Sequence, residues 1–170
     1  MTAPASIESR DAANPRVMAV LQILGVTLAM VLAAQMRMPL PWTPVPVTLQ
    51  TFVVLSVPFL VGPSRATWGI ALYLLMGLLG APLFAVGSFA TMGYLLAFLA
   101  APWVVTRFSN PAAGIAAAML LIYALGAGWL KAVGDVSWLK ALEAGVVPFL
   151  PGDAMKALAA YGVARATRDA

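Results

Sequence analysis

The chain has 170 residues, of which 62% are hydrophobic and only 9% charged, and its mean hydropathy is +0.94. A soluble domain is about 45–50% apolar and about a quarter charged, so this composition excludes an ordinary water-facing globule and points to lipid as the solvent. Ten Lys and Arg against six Asp and Glu leave a net charge of +4, and Cys and His are both absent; disulfides, thiol nucleophiles, Cys or His zinc sites and His acid–base chemistry are excluded with them.

The basic residues are scattered singly, which reads as membrane orientation rather than a nucleic-acid surface. The apolar runs are continuous and do not alternate with polar residues, which argues against a membrane β-barrel. The expected fold class is an all-α integral membrane protein, a bundle of six transmembrane helices.

Residues 1–15 are polar and have no long apolar stretch ahead of a small-residue cleavage site, so they read as a short cytoplasmic tail and not as a signal peptide. Residues 16–170 then form a single membrane domain. Six spans are expected, at about Val17–Gln35, Val47–Val61, Ala66–Gly80, Thr91–Thr106, Ala112–Leu130 and Pro151–Ala166. The second and third are short for full crossings, and a four-span arrangement with these two as a re-entrant pair is the topological alternative. With the N-terminus inside, the inner segments carry Arg10, Arg16, Arg65, Arg107, Arg165 and Arg168, and the outer loops carry Arg37, Lys131 and Lys140. The positive-inside rule therefore places both termini in the cytoplasm.

Within the first span, Ala29 and Ala33 form a small-xxx-small pattern that allows another helix to approach closely. The first outer connection, from Gln35 to Thr51, contains four prolines (Pro39, Pro41, Pro44, Pro46) and must be stiff and extended. It reads either as a rigid loop over a pocket or as a Pro-rich connector with an interfacial Trp42. Thr48, Gln50 and Thr51 place hydrogen-bonding groups at the mouth of the second span. Trp129 and Trp138 flank the last outer connection and read as aromatic-belt residues, or as a stacking surface for a ligand ring. That connection ends in Pro148-Phe-Leu-Pro-Gly-Asp-Ala-Met-Lys156. Pro151 suits a first helical turn, which puts Asp153 in that turn and Lys156 on the same face one turn deeper. A capping carboxylate with a structural ion pair accounts for both residues, but ionisable groups inside a membrane segment usually face a cavity or a partner. The chain carries no G-x-x-x-x-G-K-[ST], so energy for uphill movement of a solute would come from another subunit.

Several blocks carry a family resemblance. Arg37-Met-Pro-Leu-Pro-Trp-Thr-Pro-Val-Pro-Val-Thr-Leu-Gln-Thr51 resembles the hallmark first loop of BioY, the biotin-binding S component of energy-coupling factor (ECF) transporters. Tyr73 to Ala85, Gly93-Tyr94-Leu95 and Pro148 to Lys156 resemble its third span, fourth-span opening and last-span signature. The blocks lie in order from about residue 17 to 166. Two departures stand out: Ala85 to Met92 is brief and lacks the Asn of relatives, leaving Ser88 or Thr91 as substitutes, and Ala97 replaces a usual Gly.

The resemblance implies an outward-facing vitamin pocket, no cofactor, and assembly with a transmembrane coupling protein and two ABC ATPases that use the ATP. It also implies that Ala29 and Ala33 dock on the coupling protein. Biotin has two ureido N–H donors, a ureido carbonyl, an apolar thioether ring and a carboxylate. Asp153 can accept from the ureido N–H, Lys156 or Arg37 can meet the carboxylate or ureido oxygen, and Phe84, Tyr94 and Trp129 could cover the ring. With Thr48 and Gln50 these complete the expected site. The alternatives are an S component for another vitamin, a membrane enzyme with an Asp/Lys site, and a structural subunit of a membrane complex.

Overall fold

The computed structural model describes residues 14–84 and 88–169. Six longer helices form the bundle: α1 (Pro15–Gln35), α2 (Gln50–Val61), α3 (Pro63–Leu78), α4 (Ser88–Thr106), α5 (Pro111–Gly134) and α7 (Leu150–Ala166), with a short helix α6 (Trp138–Gly145) between α5 and α7. α1 and α5 start alike. Asn14 and Asn110 accept hydrogen bonds from the backbone N–H two residues on, each at 3.0 Å, and a proline follows at once. The side chain satisfies one of the helix's unpaired donors, and the proline has no N–H that needs a partner.

α1, α4 and α5 contain apolar windows long enough to cross a membrane. α2 has only 12 residues, or about 18 Å of helix against a hydrocarbon core of about 30 Å. The expected start of this span at Val47 is corrected: Val47–Thr48 is a strand, β2, paired antiparallel with β1, Arg37–Met38. Pro46 and the hairpin keep this stretch extended, and helix begins only at Gln50. The backbone leaving the hairpin finds a partner in α1, where the Leu49 N–H donates to the Ala33 carbonyl at 3.2 Å. Gly62 alone links α2 to α3 with φ +83°, a left-handed conformation that favours glycine.

The fifth span runs to Gly134, so Lys131 lies in the last turn of α5 rather than in a loop. Asp135 ends that helix in the left-handed region, φ 45°, which Asp tolerates better than most residues. α4 and α5 share the most extensive helix–helix interface. It depends on glycine: a Cβ at Gly114 would overlap the Val105 carbonyl, and one at Gly126 would overlap the Tyr94 ring. In lipid, helices associate through such close packing rather than through a hydrophobic drive. The core runs through Met30, Val54, Leu55, Ile70, Tyr73, Ala97, Val105 and Ile122, all buried. Trp68 and Trp103, towards the ends of α3 and α4 that lie away from the hairpin, are exposed, as are Trp42 and Trp138 at the opposite end. The pattern is that of two aromatic belts.

Candidate functional site

A cleft opens at the end of the bundle that holds the β1–β2 hairpin. It encloses about 610 Å3 of space, its open mouth included, within the size range of small-molecule sites. Five of the six longer helices contribute side chains; α1 and α6 do not.

One wall is polar and comes from the start of α2 and the body of α3. Thr48 Oγ1 donates to Gln50 Oε1 at 3.2 Å, Gln50 Nε2 donates to the Tyr73 hydroxyl at 3.1 Å, and that hydroxyl donates to the Leu83 carbonyl at 3.4 Å. Gln50 is 4% exposed and Tyr73 fully buried, so each link satisfies a group whose desolvation would otherwise cost about 1–3 kcal/mol. Phe84 packs edge-on against Tyr73, with ring centroids 5.6 Å apart.

The opposite wall comes from α5 and α7. Pro148 and Pro151 shape a 3-10 turn, Val147–Phe149, that leads into α7, and Asp153 falls in the first helical turn. Asp153 Oδ1 accepts from Lys156 Nζ at 2.7 Å and Oδ2 accepts from the Tyr123 hydroxyl at 2.8 Å. The Asp153 and Lys156 side chains are 7% and 12% exposed. Both carboxylate oxygens are thus fixed, and each keeps a lone pair free for a further donor. Tyr94 stands between the walls. The missing Cβ of Gly126 lets its ring lie close on α5, and its hydroxyl donates to the Gly145 carbonyl at 2.6 Å. Leu95, Phe98, Ile122 and Phe149 make the remaining lining mostly apolar. Among the described residues every buried side-chain nitrogen and oxygen has a hydrogen-bond partner.

Of the residues expected from sequence, the structure brings Thr48, Gln50, Phe84, Tyr94, Asp153 and Lys156 together in this cleft, and Thr51 and Thr91 with them. It places Trp129 elsewhere: the indole N–H donates to the Phe89 carbonyl at 2.7 Å and its ring packs edge-on against Phe89, on the α4–α5 seam. Arg37 is exposed and does not line the cleft, but it pairs with Thr48 across the hairpin, which puts it on the same face of the ribbon as a lining residue. Ala33 is buried in this chain's own core and Ala29 is half-buried beside it. Residues 85–87 and the Ser88 side chain, part of the brief segment before Thr91, lie outside the described residues, as does Arg10. Tyr123 has no counterpart in the sequence expectation, and Tyr73 entered it only within a quoted block. A phenol inside an apolar span was the available signal, because a buried Tyr hydroxyl normally has a partner.

A family model described as the BioY family matches residues 5–170. The chain is 33% identical to a probable biotin transporter of Pyrococcus horikoshii over 128 residues, which are 71% of this chain and 79% of that protein. It is 32% identical to a biotin transporter, BioY2, of Lactococcus lactis subsp. cremoris over 145 residues, 76% of this chain and 80% of that one. It is 34% identical to a biotin transporter of Thermotoga maritima over 143 residues, 74% and 82% of the two chains. A crystal structure of the S-component for biotin from an ECF-type ABC transporter superposes with a TM-score of 0.81 at 23% identity, over 95% of this chain and 96% of that one. The six-helix S-component architecture is therefore the fold of this protein.

Proposed function

Because this chain belongs to the BioY family, we propose that it captures biotin at the outer face of a bacterial cytoplasmic membrane, as the substrate-binding subunit of an ECF-type transporter. The observation that carries this reading is the carboxylate of Asp153, held by Tyr123 and Lys156 on the wall facing Thr48 and Gln50, in a cleft whose remaining lining is mostly aromatic and aliphatic. The ureido N–H groups of biotin donate to its free lone pairs, forming charge-assisted hydrogen bonds. The thioether ring lies against Phe84, Tyr94 and Phe149. Thr48 and Gln50 exchange hydrogen bonds with the polar edge of the bicycle. Among the described lining residues Lys156 is the cation within the cleft; bonded to Asp153, it stands at the ureido end and meets the ureido oxygen, while Arg37, across the ribbon from Thr48, meets the carboxylate end of the ligand.

Nothing in this mode of recognition forms or breaks a covalent bond; the subunit binds, and transport follows from movement in the membrane. The energy comes from partners, a transmembrane coupling protein and two ABC ATPases. The coupling protein meets α1 along its exposed row, Leu21, Leu24, Leu28 and Leu32, with Ala29 at the edge and Ala33 behind it in the core. Both termini lie in the cytoplasm, in keeping with the basic residues of the inner turns. Competition binding tests the ligand assignment: labelled biotin on the purified chain is displaced by biotin and, less effectively, by desthiobiotin. Equal displacement by riboflavin or thiamine would reassign the pocket to another vitamin.

A further inference from the structure

The short helix α6 has three faces, and packing against the bundle accounts for only one. At about 100° of turn per residue, Ala141, Ala144 and Gly145 fall on one side, and Ala141 and Gly145 are buried against the bundle. Trp138, Leu139 and Leu142 fall on a second side and are 58%, 66% and 44% exposed. Lys140 and Glu143 fall on the third and are exposed. A helix on a water-exposed loop needs only two sectors, one for protein and one for water. The third, apolar sector needs an environment of its own.

We propose that α6 is seated in the outer-leaflet interface of the bilayer, with Leu139 and Leu142 in the acyl boundary and Lys140 and Glu143 turned to the water side, where they line a shallow cleft with Trp42 and Pro44. Two observations favour phospholipid as the occupant. The apolar face is continuous along the chain with exposed Val147 and Leu150 and with the exposed Met155 and Leu158 of α7, the last helix of the bundle. Lys131 Nζ sits 5.5 Å from the centre of the Trp138 ring, so a cation and an indole lie together where headgroups meet acyl chains.

This seating has a consequence for the cleft. The last turn of α6 supplies the Ala144 carbonyl, which accepts from Thr43 of the Pro-rich loop at 2.7 Å, and the Gly145 carbonyl, which accepts from Tyr94. The loop and the site tyrosine are thus moored to a post that rests on lipid.

Collision-accessibility measurements on spin labels test the seating. The protein has no native cysteine, so single cysteines can be introduced into the full chain, labelled, and reconstituted in phosphatidylcholine–phosphatidylglycerol liposomes. At Leu139→Cys and Leu142→Cys the label should collide more with oxygen, which partitions into lipid, than with a water-soluble nickel chelate. At Lys140→Cys and Glu143→Cys the preference should reverse. Water-like accessibility at all four positions would overturn the proposal. So would labels at Leu139→Cys and Leu142→Cys shielded from both reagents, since a second protein surface would then cover that face.

Discussion

Replacing Asp153 by Asn changes one atom and no volume, yet it disturbs two partners. The carboxylate now accepts from both Tyr123 and Lys156. An amide offers one acceptor and an NH2 that can only donate, so one of the two donors loses its partner and Lys156 loses its counter-charge. With the Lys156 side chain 12% exposed, breaking a buried pair from one side costs about 3–5 kcal/mol of stability. The ligand loses a different quantity. Exchanging a charged acceptor for a neutral one at the ureido donors removes about 1.5–3 kcal/mol, which is roughly a ten- to hundredfold rise in Kd. Because both effects follow from one substitution, the assay has to separate them. Calorimetric titration with biotin reads affinity, and thermal unfolding at fixed scan rate in the same detergent reads stability. The double variant Asp153→Asn with Lys156→Met removes the stranded cation as well, so stability should recover to within about 1–2 kcal/mol of wild type while affinity stays low. If Asp153→Asn binds biotin as tightly as wild type, or if the double variant regains affinity together with stability, Asp153 is a structural ion-pair partner and not a ligand acceptor.

Four further outcomes follow from the same geometry. Tyr123→Phe removes a hydrogen bond to a charged group and should weaken biotin binding by about 1.5 kcal/mol without changing binding stoichiometry in the titration. Tyr73→Phe leaves Gln50 Nε2 without its acceptor in a buried setting and should lower stability by about 1–3 kcal/mol, read from thermal unfolding. Gly126→Ala drives a Cβ into the Tyr94 ring, whereas Gly128 has nothing within 4 Å of the same added atom; the first should lower both melting temperature and biotin affinity, and Gly128→Ala should leave affinity unchanged. Trp129→Phe loses its bond to the Phe89 carbonyl but touches no lining residue's hydrogen bonds, so biotin affinity should stay within about twofold of wild type, that is, within about 0.4 kcal/mol.

The helices were legible because hydropathy in a membrane protein is set by lipid over lengths of many residues, and the Gly62-Pro63 and Asn110-Pro111 pairs fall at helix starts. The second span was read three residues too long because its first residues are apolar and β-branched whether they form strand or helix; only the hairpin partner at Arg37–Met38, ten residues back, decides between the two. α6 was missed because eight residues give too short a window for periodicity to stand out. Asp153 and Lys156 were legible because charges are rare in a span and these two lie one turn apart. Tyr123 was not, because its partner is 30 positions away and a tyrosine in an apolar run reads as packing. Trp129 shows the limit from the other side. It lies one turn beyond Gly126 on α5, and the helix rotation that brings Gly126 to Tyr94 brings Trp129 to Phe89 and Gly93 instead. Ala29 and Ala33 illustrate a related ambiguity, since a small-residue pattern permits close approach without saying whether the neighbour belongs to the same chain.

Calorimetric titration of the purified wild-type chain with biotin, in detergent and at several temperatures, tests the central claim most directly. The expected result is saturable binding of one biotin per chain with a negative heat-capacity change, the mark of apolar surface buried against Phe84, Tyr94 and Phe149. An absence of saturable heat and of any competition by unlabelled biotin would contradict the assignment of this cleft as a biotin site.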